Sequence, residues 1–204
     1  MTGWFPLYLR SRRTPLAMAV SIGAVAAVAS AWIGITHHRE VYPGLAVFTV
    51  ALATAPTIVT LAGDDPALEK TAALRWPPRR ALHLIACCAL VAGVLIAARL
   101  AGADFGPPAQ LVRNAAGLSG LVGLGTALAG TALAWQMPFT WATAHCFLLR
   151  TDGPLWRQTL LWMAQPSDNR AAAATAGALF LAGVIAYAAR GGPPVSAAET
   201  TMGQ

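Results

Sequence analysis

The chain has 204 residues, of which 56% are hydrophobic and only 11% charged, with a mean hydropathy of +0.56. Soluble domains carry about a quarter charged residues, so this composition excludes a fully polar surface and makes lipid the solvent for most of the chain. The formal net charge of +6 would suggest nucleic acid in a soluble protein. Here it reads as membrane topology, because Lys and Arg collect on the cytoplasmic side, and no nucleic-acid partner is expected.

In lipid every backbone polar group needs an internal partner, so apolar runs of about 20 residues are expected to cross as helices. The opening GWFPLYLRSRR mixes Trp4, Phe5, Leu7, Tyr8 and Leu9 with Arg10, Arg12 and Arg13. That pattern suits a cytosolic interfacial helix over residues 1–15. Residues 16–36 form an apolar run longer than a signal-peptide core and are expected to be a retained first span. The turn THHREVY leads to a second span over 43–62, a charged loop over 63–80, and a third span over 81–100.

Between Arg113 and Arg150 no residue carries a formal charge. One helix of that length would measure about 54 Å against a hydrocarbon core of about 30 Å, so it must fold back. The turn is expected near residues 125–130, giving two short spans over 115–129 and 131–149. Gly117, Gly120, Gly123 and Gly125 allow close helix contacts there. An alternative with five spans leaves 131–149 uncrossed. Residues 151–169 are too polar to span, and Leu155, Trp156, Leu160, Leu161, Trp162 and Met163 suggest short helices dipping into the interface. A last span over 171–189 precedes a tail, 191–204, that reads as a flexible cytosolic segment.

The resulting fold class is an all-α integral membrane protein, with residues 16–190 making six transmembrane helices and both termini in the cytoplasm. The basic clusters Arg10, Arg12, Arg13 and Lys70, Arg75, Arg79, Arg80 then fall on the inner side. Arg99, at the outer end of the third span, snorkels to the headgroups. Cys87, Cys88 and Cys146 lie inside apolar runs; three cysteines make no disulfide framework and read as small core residues.

The loop GDDPALEKTAALRWPPRR holds seven of the chain's 22 formal charges, from 14 Lys and Arg with 8 Asp and Glu. Asp65 is well placed as an N-cap with Pro66 at the first helical position. Leu68, Glu69, Lys70, Leu74 and Arg75 continue as a helix that Pro77 and Pro78 are expected to stop. Acids at its start and Arg75 near its end suit the macrodipole. Such a capped amphipathic helix is suited to docking on a cytosolic partner.

Taken in order, LYLRSRRTPLA, DDPALEKTAA followed by His83, LVRNAAGLSGLVGLG, AWQMPFTW and WMAQPSDNRAAAATAGALFLAGVIAY cover nearly the whole chain. This series resembles the membrane subunit of ATP-binding-cassette exporters of the type-2 permease class, in its compact actinobacterial form. The resemblance implies a bacterial plasma-membrane permease whose coupling helix is residues 66–75. It also implies a re-entrant element within 152–165 that carries Trp156, Leu160, Trp162 and Gln165. No G-x-x-x-x-G-K-[ST] loop occurs, so ATP and Mg would be bound by a separate cytosolic ATPase subunit. A second copy or paralogue of the permease would complete the pathway, and the chain itself would be no enzyme and hold no cofactor. A departure from the pattern is the absence of charge between the fourth and fifth spans.

Two other constellations compete. Gly117-Leu118-Ser119-Gly120 with His145 resembles the Ser–His pair of rhomboid intramembrane proteases, and the expected depths, about 9 and 7 Å below the outer boundary, match. Only 26 residues separate the two, too few for the extra span that pattern requires. His37 and His38 lie in an outer turn, His83 near the inner face and His145 near the outer. No pair in the spans shares a depth, as a b-type haem would need. A non-catalytic multi-span scaffold is the remaining alternative.

Overall fold

The structure is a computed structural model, and it describes residues 12–62, 76–148 and 153–192. The described residues form eight helices: α1 (Thr14–Thr36), α2 (Pro43–Thr54), α3 (Thr57–Leu61), α4 (Trp76–Leu100), α5 (Pro108–Ala129), α6 (Gln136–Phe147), α7 (Leu155–Leu160) and α8 (Arg170–Arg190). Five stretches are long and apolar enough to cross a membrane: α1, α2 with α3, α4, α5 and α8. The chain is thus a helical protein compatible with multiple membrane crossings.

Proline and glycine set most of the boundaries. Pro15, Pro43 and Pro108 lie in the first turns of α1, α2 and α5, where a missing N–H costs nothing and φ is already helical. Gly130, at φ 79°, ends α5. Inside the expected second span, Pro56 removes a donor and splits the helix into α2 and α3. Threonine hydroxyls donate to carbonyls around the break, Thr54 to Val50, Thr57 to Thr54 and Thr60 to Thr57, each at 2.7 Å.

Two expectations need correction. Pro77 and Pro78 occupy the first turn of α4, which begins at Trp76, so Arg79 and Arg80 are helical and the third span starts earlier than residue 81; the loop helix expected before them lies outside the described residues. The fourth span likewise begins at Pro108 rather than residue 115, placing Arg113 and Asn114 inside it. Among the described residues of 131–149, only the 12 residues of α6 are helical, about 18 Å of rise.

The bundle has two poles. At the turn pole, the links after α1 and α4 join through a parallel bridge: Val41 N–H donates to the Asp104 carbonyl (2.9 Å) and Asp104 N–H to the Arg39 carbonyl (2.7 Å). At the loop pole, Leu61, Leu84, Val122, Ala134 and Tyr187 pack in one apolar cluster, beside residues 62 and 76, between which the charged loop runs.

Helix α5 is the centre: 78% of its apolar window is buried, against 17% for α1 and 22% for α8. Its glycines face partners. A Cβ on Gly120 would strike the Leu179 carbonyl, one on Gly183 the Gly120 carbonyl, and one on Gly123 would lie 2.7 Å from Leu84 Cδ2 and 2.8 Å from the Gly183 carbonyl oxygen. Because 120 meets 179 and 123 meets 183, α5 and α8 run parallel. The intervening chain therefore travels back, from Ala134 in the loop-pole cluster to Cys146, whose thiol donates to the Gly44 carbonyl (3.3 Å) at the turn pole. Phe139 stacks edge-on against Phe48 of α2 midway (5.8 Å).

Gly183→Val should destabilise the protein by roughly 1–3 kcal/mol through overpacking. Gly177→Ala, where nothing lies within 4 Å, should be neutral or mildly stabilising. Thermal unfolding of both variants in detergent micelles measures the contrast, and equal midpoints would contradict the glycine contact.

Candidate functional site

At the loop pole, residues distant in sequence meet in a buried polar cluster. Tyr187 of α8 donates its hydroxyl proton to the Leu61 carbonyl (2.9 Å) and accepts from Arg12 Nη1 (3.2 Å), which also reaches the Thr60 carbonyl (3.4 Å). The Thr60 hydroxyl donates to the Thr57 carbonyl, leaving its oxygen to accept from His83 Nε2 at 2.9 Å. Cys87 Sγ lies 3.6 Å from the same hydroxyl. Arg12, Thr60, His83 and Tyr187 are all nearly solvent-free. Arg80 lies against Gly191, which ends α8, where a cation complements the helix C-terminus. The cluster joins the start of α1, the end of α3, the start of α4 and the end of α8. Both ends of the described chain are thereby brought to one pole, that of residues 62 and 76.

The expected coupling-helix residues Asp65, Pro66, Leu68, Glu69, Lys70, Leu74 and Arg75 lie outside the described residues. What is described is their frame: Thr60 and Leu61 on one side and His83 and Leu84 on the other are in direct contact.

The described part of the segment expected to be re-entrant, residues 153–165, lies at the turn pole. Trp156 and Leu160 on α7 are exposed, whereas Trp162 and Gln165 are fully buried. After α7 the chain turns inward, and Arg113 of α5 gathers its carbonyls: Nη1 donates to Pro166 O (2.7 Å), and Nη2 to Gln165 O (2.6 Å) and Met163 O (3.4 Å). Asn114 Nδ2 (3.1 Å) and Gln110 Nε2 (3.2 Å) donate to Met163 O as well. Trp162 fills the space above Gly117, where any Cβ would collide with the indole. Among the described residues no carboxylate pairs with Arg113, so its charge is solvated by backbone dipoles. Asn169 caps α8 by accepting from Ala172 N–H (3.0 Å), and its Nδ2 donates to Gln165 Oε1 (3.2 Å) and Gln158 Oε1 (2.9 Å).

Ser119 and His145 do not pair. Both ring nitrogens of His145 are occupied, Nδ1 donating to Trp141 O (2.8 Å) and Nε2 accepting from Met163 N–H (3.3 Å), so neither is left for the buried Ser119 hydroxyl. Trp162 packs edge-on to the imidazole (6.2 Å). His83 belongs to the other pole, and among the described residues no three His, Cys, Asp or Glu converge as a metal site would need. No family model matches the chain, and neither a curated protein nor a solved structure does.

Sequence reasoning missed both clusters. The expected fourth span begins at residue 115 and leaves Arg113 outside it. The signal that places it in a span is Pro107-Pro108, an N-terminal helix signature five residues upstream. Arg12 reads from the sequence as part of an interfacial helix and a topology signal, and nothing local links it to Tyr187.

Replacing Arg113 with Leu should strip Gln165 O and Pro166 O of their donors, at roughly 1–3 kcal/mol for each buried carbonyl. Arg113→Lys should restore part of this, since one ammonium cannot reproduce the planar fork. Thermal unfolding combined with thiol labelling of a cysteine placed at Ala164 is the readout. An unchanged midpoint and unchanged labelling in Arg113→Leu would remove the clamp from the account.

Proposed function

We propose that this chain is a permease subunit of an ATP-binding-cassette exporter in a bacterial plasma membrane. It forms the pathway with a second copy or paralogue and is driven by a separate ATPase that docks on residues 66–75. The observation that carries this reading is the loop-pole cluster. The charged loop leaves the bundle after Leu61 and re-enters it at Trp76, the Thr60 hydroxyl is bonded to His83 of the re-entering helix, and the Leu61 carbonyl is bonded to Tyr187, which is bonded to Arg12. A push on such a loop reaches α1, α3, α4 and α8 together.

Six crossings follow in this reading, with 131–148 as the fifth. The parallel run of α5 and α8 and the return of the chain from Ala134 to Cys146 support that count. Both described ends meet at the loop pole, which the exporter reading makes cytoplasmic. The clamped segment after α7, with its exposed Trp156 and Leu160 and its buried Trp162 and Gln165, fits a re-entrant element at the opposite face.

Affinity purification in mild detergent from the chain's own membranes should recover a single ATPase with a G-x-x-x-x-G-K-[ST] loop, in stoichiometric amount. The double substitution Leu68→Asp, Glu69→Arg should lower that recovery at least about tenfold, an effect of about 1.4 kcal/mol, without loss of membrane insertion. Absence of such an ATPase, or recovery undiminished by the double substitution, would overturn the proposal.

A further inference from the structure

The turn pole contains a cavity of about 510 Å³ between α2, the link from α4 to α5, α5 itself and the clamped segment. That volume is in the range of small-molecule sites. Its deep wall is apolar and rigid: Val47, Val50, Phe105 and Leu111 line it and are buried in the core. Its rim is formed by Glu40 and Asp104, held side by side by the bridge that joins the two turns.

The polar groups facing this space are unequal in kind. The amide donors of Gln110 and Asn114 are both turned to Met163 O. Arg99, the cation lining the cavity, is engaged by the Gly106 carbonyl and by the Asp104 carboxylate at 3.5 Å. Asp104 also accepts from Gly106 N–H (2.9 Å). The neighbouring cation Arg113 is directed at the carbonyls of Gln165 and Pro166. Glu40 is exposed, and among the described residues its carboxylate has no hydrogen-bond or ion-pair partner. The protein thus consumes its own donors and leaves a carboxylate at the rim of an apolar chamber. An anion would meet that unpaired charge; a cation bearing N–H groups would complete it.

We propose that this cavity binds a protonated organic amine with a compact apolar body, entering from the aqueous side. The body lies against Val47, Val50 and Leu111, and the ammonium donates to Glu40. This assignment goes beyond the exporter reading and stands without it, since it concerns binding at the pole opposite the charged loop.

Three dansyl probes share one fluorophore and differ in charge: dansylcadaverine, a primary ammonium; its neutral N-acetyl derivative; and the anion dansylglycine. Their fluorescence is titrated with the full-length protein in phosphatidylcholine nanodiscs, with empty nanodiscs subtracted. Dansylcadaverine should bind saturably and at least about tenfold more tightly than the other two, as expected for one charge-assisted hydrogen bond. Glu40→Gln, at an exposed position, should remove that preference, and Glu40→Lys should turn it toward dansylglycine. Equal binding of the three probes, or an amine affinity unchanged in Glu40→Gln, would overturn the proposal. Loss of amine binding in nanodiscs rich in phosphatidylethanolamine would assign the site to a lipid headgroup and overturn the soluble ligand.

Discussion

Helices α5 and α8 lie side by side, point the same way and touch through glycine backbone, and much of the remaining architecture follows from that contact. Two parallel helices consecutive in a bundle need a return passage between them, as parallel strands need a crossover. The chain makes that passage with the 12 residues of α6, too short to run the 22-residue length of α5. The deficit is made up at both ends. Residues 131–135 turn against Gly125, where a Cβ would lie 2.9 Å from the Ala134 carbonyl. On the other side, the segment after α7 folds down to Trp162 over Gly117 before α8 can start at Arg170. The inward dip is thus what remains when a short return helix must deliver the chain to a fixed starting point.

Such a dip places non-helical backbone inside the bundle, where its polar groups need hydrogen-bond partners from the protein. The fold answers with side chains from one short stretch of α5: Gln110, Arg113 and Asn114 together bond the carbonyls of Met163, Gln165 and Pro166. His145 takes the one N–H that points the other way. Arginine suits this task because its planar fork can serve two adjacent carbonyls at once. A buried charge without a carboxylate would otherwise be costly; here three carbonyl dipoles replace the counter-ion. Around the Pro56 break, too, side chains bond backbone, three threonine hydroxyls donating to carbonyls three or four residues earlier.

The sequence made legible what depends on local chemistry. Apolar run length marked the helices, the fold-back near Gly130 followed from the uncharged stretch being longer than a bilayer, and the α5 glycines were identifiable as a packing face. Misreadings arose where local signals were ambiguous. Pro77-Pro78 serves equally as a helix stop and as a first turn, and the prolines lie in the first turn of α4. Arg113 obeyed the rule that charge leaves the membrane until its partners, some fifty residues away, are known. Tyr187 and Arg12 lie 175 residues apart, and no periodicity carries such a pairing. The cavity rim was equally hidden, because Glu40 and Asp104 become neighbours only through a bridge between two turns.

Helix α8 is the element that both poles share. Its first turn is fixed by Asn169, which also holds Gln165 and Gln158 of the dipping segment. Its last turns are fixed by Tyr187 to Leu61 and Arg12, and by Arg80 at Gly191. Between these ends, Gly183 and the Leu179 carbonyl abut Gly120 so closely that the α5–α8 pair has little freedom to slide, and close-packed elements shift as units rather than deform. A displacement imposed next to the charged loop would therefore tilt α5 and α8 together, and the far end of that pair carries Arg113 and the cap at Asn169. The residues of one pole need no chain of side-chain contacts to reach the other, because two helices locked by glycine already join them.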